Sequence, residues 1–374
     1  MSIKDTPIFF FVKRDGKTSR KIKLSGEIDG ESIKYVLRIF TRESQTLALC
    51  NKYELKGSNG SLAFLPLYAA NNINDDSTFG VYEGPTNEMY MFNYHGKLLG
   101  TIDIDKIDPL KKDQYYVSPY FINIAGNIVM IRGKIFDDCS KRALLFINID
   151  SKKKRKFKLR NCKNVFFPSD ASMQYNAVNN MLYVARFRGY SGSEDSIRGY
   201  IGVFDLEGRM RASFGKYESH GIYIPSGYDA LYFDIDSDGN SYSVPSVLVD
   251  SIYVYDKSFK EIKSFPLNLF YRTPFKKISK KEASNAKKVR DWQYRNTVIR
   301  NVLIGGDGRI YVQYVTNIKG EKEYYLAIYD RDGNKYNEEV NMSEYIFYVN
   351  KDSEIYALWP IKDKFFLFKY CWKN

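Results

Sequence analysis

At 374 residues with 44% hydrophobic side chains, the chain can bury a substantial core, and its composition excludes disorder. Its 32 Tyr and 25 Phe favour pleated, half-buried surfaces. The formal charge of +13, from 57 Lys and Arg against 44 Asp and Glu, raises nucleic-acid binding, but the bases are mostly scattered among acids, which fits a solvated surface better. No run approaches the roughly 20 apolar residues of a membrane span.

Taken in chain order, the strand signals fall into two recurring hairpins. One is a marker of apolar, aromatic, Asp, two residues, then Gly, where the turn residues tolerate left-handed backbone. It occurs as VFDLEG at 203–208, VYDKSF at 254–259 and IYDRDG at 328–333, with looser copies FVKRDG at 11–16, MFNYHG at 91–96 and FINIDS at 146–151. The other hairpin lies upstream of each marker: FINIAGNIVMI at 121–131, YNAVNNMLYVA at 175–185, YFDIDSDGNSYSV at 232–244, VLIGGDGRIYVQY at 302–314 and FYVNKDSEIYALW at 347–359. Two hairpins make four strands, the size of one propeller blade. Six marker positions, 13, 93, 148, 205, 256 and 330, predict six blades in an all-β ring. The step from 330 through the C-terminus to 13 is 57 residues, an ordinary unit, so the ring closes if an N-terminal hairpin completes the last blade. That blade is expected to take inner strands from about 345–370 and its outer edge from about 8–25.

Two stretches are oversized and read as insertions into a single domain, about 55–87 and 272–296. In the second, Ser279 and Glu282 have capping-box spacing, and a helix is predicted from about 280 to 295 with Ala283, Ala286, Val289 and Trp292 facing inward. The same insert is basic and aromatic, and it reads as a structural lid ahead of a grip for an acidic partner.

DSDGNSYSV, SIYVYDKSFKEIKSF, GGDGRIYV and AIYDRDGNKY together resemble the six-bladed β-propellers of the NHL-like and TolB-like type, in particular little-characterised bacterial propellers. Members of that group are often exported lipoproteins. The resemblance therefore implies a periplasmic or cell-surface protein if a leader has been removed, and a cytoplasmic one otherwise.

The candidate chemistry is sparse. Asp234, Asp236 and Asp238 match the start of a calcium loop, but the twelfth position, where a bidentate Glu belongs, is Pro245. The expectation is a hairpin turn, with calcium as the one cofactor to test. His95 falls in a marker turn. His220, with Tyr223 and Tyr228, lies on a connection between blades, where propellers gather their ligand sites. With Arg186, Arg188, Tyr190, Arg272 and Trp292 they form the candidate rim. SKKKRKFKLR at 151–160 reads as a lysine-guarded edge strand. The four cysteines show no metal-ligand spacing; Cys139 and Cys162 are close enough in sequence to pair, but separate buried thiols are expected. Nucleophile elbows, phosphate loops and dinucleotide glycine patterns are all missing from the sequence. The reading is a monomeric, non-catalytic binding propeller for a glycan, peptide or protein partner, with nucleic acid not the expected partner. The alternative is a hydrolase or lyase acting on a polysaccharide, so whether it is an enzyme stays open.

Overall fold

The structure is a computed structural model. It describes residues 21–28, 31–38, 46–57, 60–61, 68–71, 78–83, 86–109, 115–124, 126–133, 139–162, 173–185, 201–215, 231–247, 250–318, 320–336, 339–362 and 364–373. The chain falls into two compact units, Met1–Ala48 with Trp372–Asn374, and Leu49–Cys371. In the first, Lys21–Ile28 pairs with Glu31–Arg38 as an antiparallel hairpin.

The second unit holds six sheets. The first five run outward through sequential antiparallel strands, and the sixth is completed by strands from the N-terminal part of the chain. The first sheet comprises Tyr68–Asn71, Thr78–Glu83, Glu88–Asn93 and Leu98–Asp103; the second Tyr115–Ile124, Asn127–Gly133, Ala143–Asn148 and Lys154–Lys158. The third comprises Met173–Asn176, Met181–Ala185, Ile201–Phe204 and Met210–Phe214; the fourth Leu231–Ile235, Ser241–Pro245, Ser251–Tyr255 and Glu261–Pro266. The fifth comprises Val298–Ile304, Ile310–Ile318, Glu321–Tyr329 and Val340–Asn341. The sixth begins with Tyr345–Val349, Ile355–Ile361 and Lys364–Lys373. The first strands of successive sheets pack on one another in order, and the sixth returns to the first. The fold is a six-bladed β-propeller.

Closure comes from the N-terminal part of the chain, as expected, but from a different stretch. Thr46–Gly57 lies beside Lys364–Lys373, and a short return at Gly60–Ser61 completes the hairpin. Of the predicted edge at about 8–25, residues 8–20 lie outside the described residues, and Lys21–Ile28 pairs with Glu31–Arg38. The stretch at 55–87, expected as an insertion, includes the first two strands of the first blade. Cys50 on the closing strand is bonded to Cys371 on the final strand, so a covalent link fastens the ring across 321 residues. Cys139 and Cys162 form a second disulfide rather than separate thiols.

The core lies between blades. Both faces of the middle strands are covered, so Ala143–Asn148 is buried from Ala143 to Ile147 instead of alternating. Val129, Leu144 and Phe146 of the second blade meet Leu182, Val184 and Phe204 of the third. Leu55 of the closing strand and Leu367 meet Phe79 and Phe92 of the first blade, which seals the last junction.

The marker turns repeat one physical device. In four of the described marker turns, the Asp or Asn side chain supplies an acceptor oxygen to two backbone N–H groups ahead of it. Asp205 Oδ1 accepts from Glu207 and Arg209, Asp256 from Ser258 and Lys260, Asp330 from Asp332 and Asn334, and Asn93 from His95 and Lys97. Asn serves as well as Asp because the turn needs an acceptor, not a charge. The closing glycine has left-handed backbone (φ 80° at Gly208, 85° at Gly333) and no room for a Cβ, because the preceding blade's outer strand packs there. SKKKRKFKLR supplies such an outer strand, exposed along Lys154–Lys158 except at Phe157, in keeping with a lysine-guarded edge.

The capping box at Ser279 and Glu282 forms, but the predicted helix is in two pieces, Lys280–Ala283 and Ala286–Tyr294. Asn285 breaks it: its side chain caps a fresh helix by accepting from Lys287 and Lys288. The restart shifts the phase, so Ala286 is exposed while Val289 and Ala283 stay partly buried beside Trp292.

Candidate functional site

In a four-stranded antiparallel blade, strand two ends, strand three begins, strand four ends and the next blade begins at one end of the sheet; the tight hairpin turns occupy the other. At the turn end the acidic side chains serve structure. Asp236 accepts from the backbone of Asp238 and Asn240, and from Tyr242 at 3.3 Å. Asp238 pairs with Arg331 of the next blade at 3.4 Å. Asp234 reaches across the channel-side strands to accept from Ile304 at 2.8 Å, and from its own neighbour Ile235 at 2.9 Å. The three carboxylates of the suspected calcium loop thus have separate partners. Among the described residues, no group of three or more His, Cys, Asp or Glu gathers to hold a metal. Asp234 is half-buried as a residue, but its carboxyl group is the enclosed part, and burial pushes its pKa up to about 7 against the two N–H donors. His95 is exposed in its turn, edge-on to Tyr53 of the closing strand.

The opposite end carries the long connections. His220, Tyr223, Tyr228, Arg186, Arg188 and Tyr190 lie outside the described residues. The strand ends flanking those stretches, Ala185 and Ile201, Phe214 and Leu231, share this end with Pro266 and Val298, which flank the insert. Arg272 is exposed there. Trp292 is 1% exposed, packed with Val247, Ile278, Val298 and Val315, and its indole N–H donates to the Lys276 carbonyl at 2.5 Å. It pins the insert to the blade rather than lining an open rim. Burying a side chain this large is worth about 2–3 kcal/mol.

The basic character of the insert is legible in the sequence, and it is concentrated. Residues 272–296 hold nine Lys and Arg against two acids, a net +7 of the whole chain's +13, and all nine are exposed. The charge is therefore not evenly scattered. Two further features escaped the sequence reading. One is an aromatic ledge at the root of the insert. Phe270 is 79% exposed, and Tyr271 stacks on Tyr325 with centroids 4.1 Å apart. A buried carboxylate holds the ledge: Glu339 accepts from the Phe270 backbone N–H at 2.6 Å, from the Tyr314 hydroxyl and from Lys335. Burial first and Glu339 second raise the Tyr314 pKa, which keeps that hydroxyl a donor. The other is Arg300. It sits at a bulge where Ile299 pairs with Tyr314 and Asn301 with Gln313, leaving Arg300 out of the ladder. Of the innermost-strand residues whose side chains are described, it alone is exposed. Its strand is the innermost of the fifth blade. The sequence signal was present in VIRNVLI, where Arg-Asn interrupts an apolar run by one register step.

No protein-family model matches the chain, and neither does any curated protein. Solved structures do. A member of the DUF4221 family from Bacteroides vulgatus superposes with a TM-score of 0.60 at 11% identity, over 88% of this chain and 99% of its own. A putative exported protein from Bacteroides fragilis gives 0.53 at 14% identity, over 88% and 96%. At these identities the likeness is one of fold. No helix among the described residues is long and apolar enough to cross a membrane.

Proposed function

We propose that the protein is an exported, non-catalytic binding propeller, of the NHL-like or TolB-like type, that takes its ligand at the connection end of the disc. The observation that carries this reading is the net +7 gathered there on residues 272–296, an insert anchored by the buried Trp292. Rigid blades presenting variable connections are suited to recognition. Both disulfides together use all four cysteines, which favours an oxidising compartment, the periplasm or cell surface. The Bacteroides fragilis neighbour described as exported agrees with that placement. Whether catalysis accompanies binding is decided by incubating the purified protein with a panel of glycans and peptides and following both thermal shift and product release. A saturable shift with unchanged ligand supports the reading. Cleaved product would replace it with the hydrolase or lyase alternative.

A further inference from the structure

Resting on that binding reading, we infer that the ligand is an acidic polysaccharide: one sugar ring stacks on Phe270 while neighbouring acidic groups meet the basic insert. The ledge is prepared in advance. Residues 268–271 are held by three side chains of the fifth blade: Tyr329 and Lys335 donate to the Asn268 carbonyl at 3.2 and 3.0 Å, and Glu339 accepts from Phe270. Tyr271 is fixed between the Phe270 ring, edge-on at 4.9 Å, and Tyr325. An aromatic ring left 79% exposed on backbone this firmly held loses little entropy when a flat apolar surface covers it. The C–H face of a pyranose is such a surface, its weakly positive hydrogens meeting the negative face of the ring.

Charge supplies the second half. Arg272 follows the ledge directly, and Lys276, Lys277, Lys280, Lys281 and Lys287 continue it along an insert whose base is also fixed. There the Lys276 N–H donates to Asn296 Oδ1 at 2.6 Å, and Asn296 Nδ2 donates to the Trp292 carbonyl at 2.7 Å. Cations spaced over many residues suit a polymer carrying repeated acids better than a single small anion. Single-stranded nucleic acid shares the charge and the stacking face. The two disulfides decide between them, because outside the cytoplasm the abundant flexible polyanions are acidic glycans.

The test uses the full chain with its disulfides intact and three probes: polygalacturonate, its fully methyl-esterified neutral form, and an oligothymidylate of matched charge. The expected result is saturable binding of polygalacturonate, at least about tenfold weaker for the ester and for the oligonucleotide at equal salt. Phe270→Ala should weaken polygalacturonate about tenfold while leaving the slope of affinity against salt unchanged. Lys287→Glu with Lys288→Glu should flatten that slope. Both changes are at exposed positions, and matching thermal unfolding confirms that the variants fold. The inference is overturned if the oligonucleotide binds as well as polygalacturonate, if Phe270→Ala has no effect, or if neither acidic probe binds. Binding of a neutral glycan or a peptide in that last case would leave the binding reading standing; product release from any probe would remove both.

Discussion

Gly208 and Gly126 share a backbone conformation and differ in surroundings, with φ of 80° and 74°. A Cβ on Gly208 would meet the Lys158 carbonyl oxygen at 2.9 Å, and backbone cannot give way; a Cβ on Gly126 meets nothing within 4 Å. Gly126→Ala should therefore cost only the left-handed strain, about 1 kcal/mol, and Gly208→Ala about 2–3 kcal/mol, read from denaturant midpoints. Equal losses would show that close approach between blades does not constrain the marker glycine. Asp234 yields a pH prediction. Its folded pKa of about 7 lies above the ordinary carboxylate value, so the native state holds more protons than the unfolded chain between about pH 4 and 7. Stability from this group is thus present at low pH and lost as pH rises through 7, by at most about 4 kcal/mol. Asp205, with its pKa lowered by hydrogen bonds from Arg209 and Arg211 that outweigh its burial, acts in the opposite sense, its contribution falling away at acid pH below that window. Thermal unfolding from pH 5 to 8 should show a falling Tm, flattened in Asp234→Asn even if that variant is less stable throughout. Marker acids were legible in the sequence because turn chemistry is local. The enclosure of Asp234 was not, since it depends on Ile304, 70 residues away.

The closing strand is the element on which the ring's integrity turns. Thr46–Gly57 is held by its ladder to the last strand, by Leu55 in the core shared with Phe79 and Phe347, and by the Cys50–Cys371 bond. In the chain-entropy description a cross-link spanning 321 residues contributes about 5–6 kcal/mol, against about 3 kcal/mol for Cys139–Cys162 with its separation of 23. Cys50→Ser should consequently lower the denaturation midpoint more than Cys162→Ser, measured without reductant on singly substituted chains. The reverse order would mean that the outer ladder and core already fix the closing strand. That a head segment completes the tail blade was legible from unit length. Which segment does so was not, because an outer strand carries a weak apolar pattern, and FVKRDG imitates the marker. The insert shows the same division: the capping box was readable as Ser279 and Glu282, while the break at Asn285 depended on a second cap competing with helix propagation.

For the whole molecule, the repeat was visible because every blade solves one packing problem, and turns that recur at fixed positions survive even where strands diverge. The orientation of the charge was invisible because sequence order alternates between the two ends of the disc. Only the strand count shows that Pro266 and Val298 stand at the same end as Ala185 and Phe214. The division into two units makes a last prediction. The propeller's contacts begin at Leu49, and its closing strand begins at Thr46, so the six sheets are complete without the residues before it. A chain beginning at Glu43 should fold with an unchanged near-ultraviolet circular dichroism spectrum and a Tm within a few degrees of the full chain, because every strand of the six sheets begins at or after Thr46. A truncated chain that fails to fold, or unfolds in two steps, would mean that the Lys21–Arg38 hairpin belongs to the cooperative unit, and that the ring depends on more of its N-terminal chain than the one strand beside Lys364–Lys373.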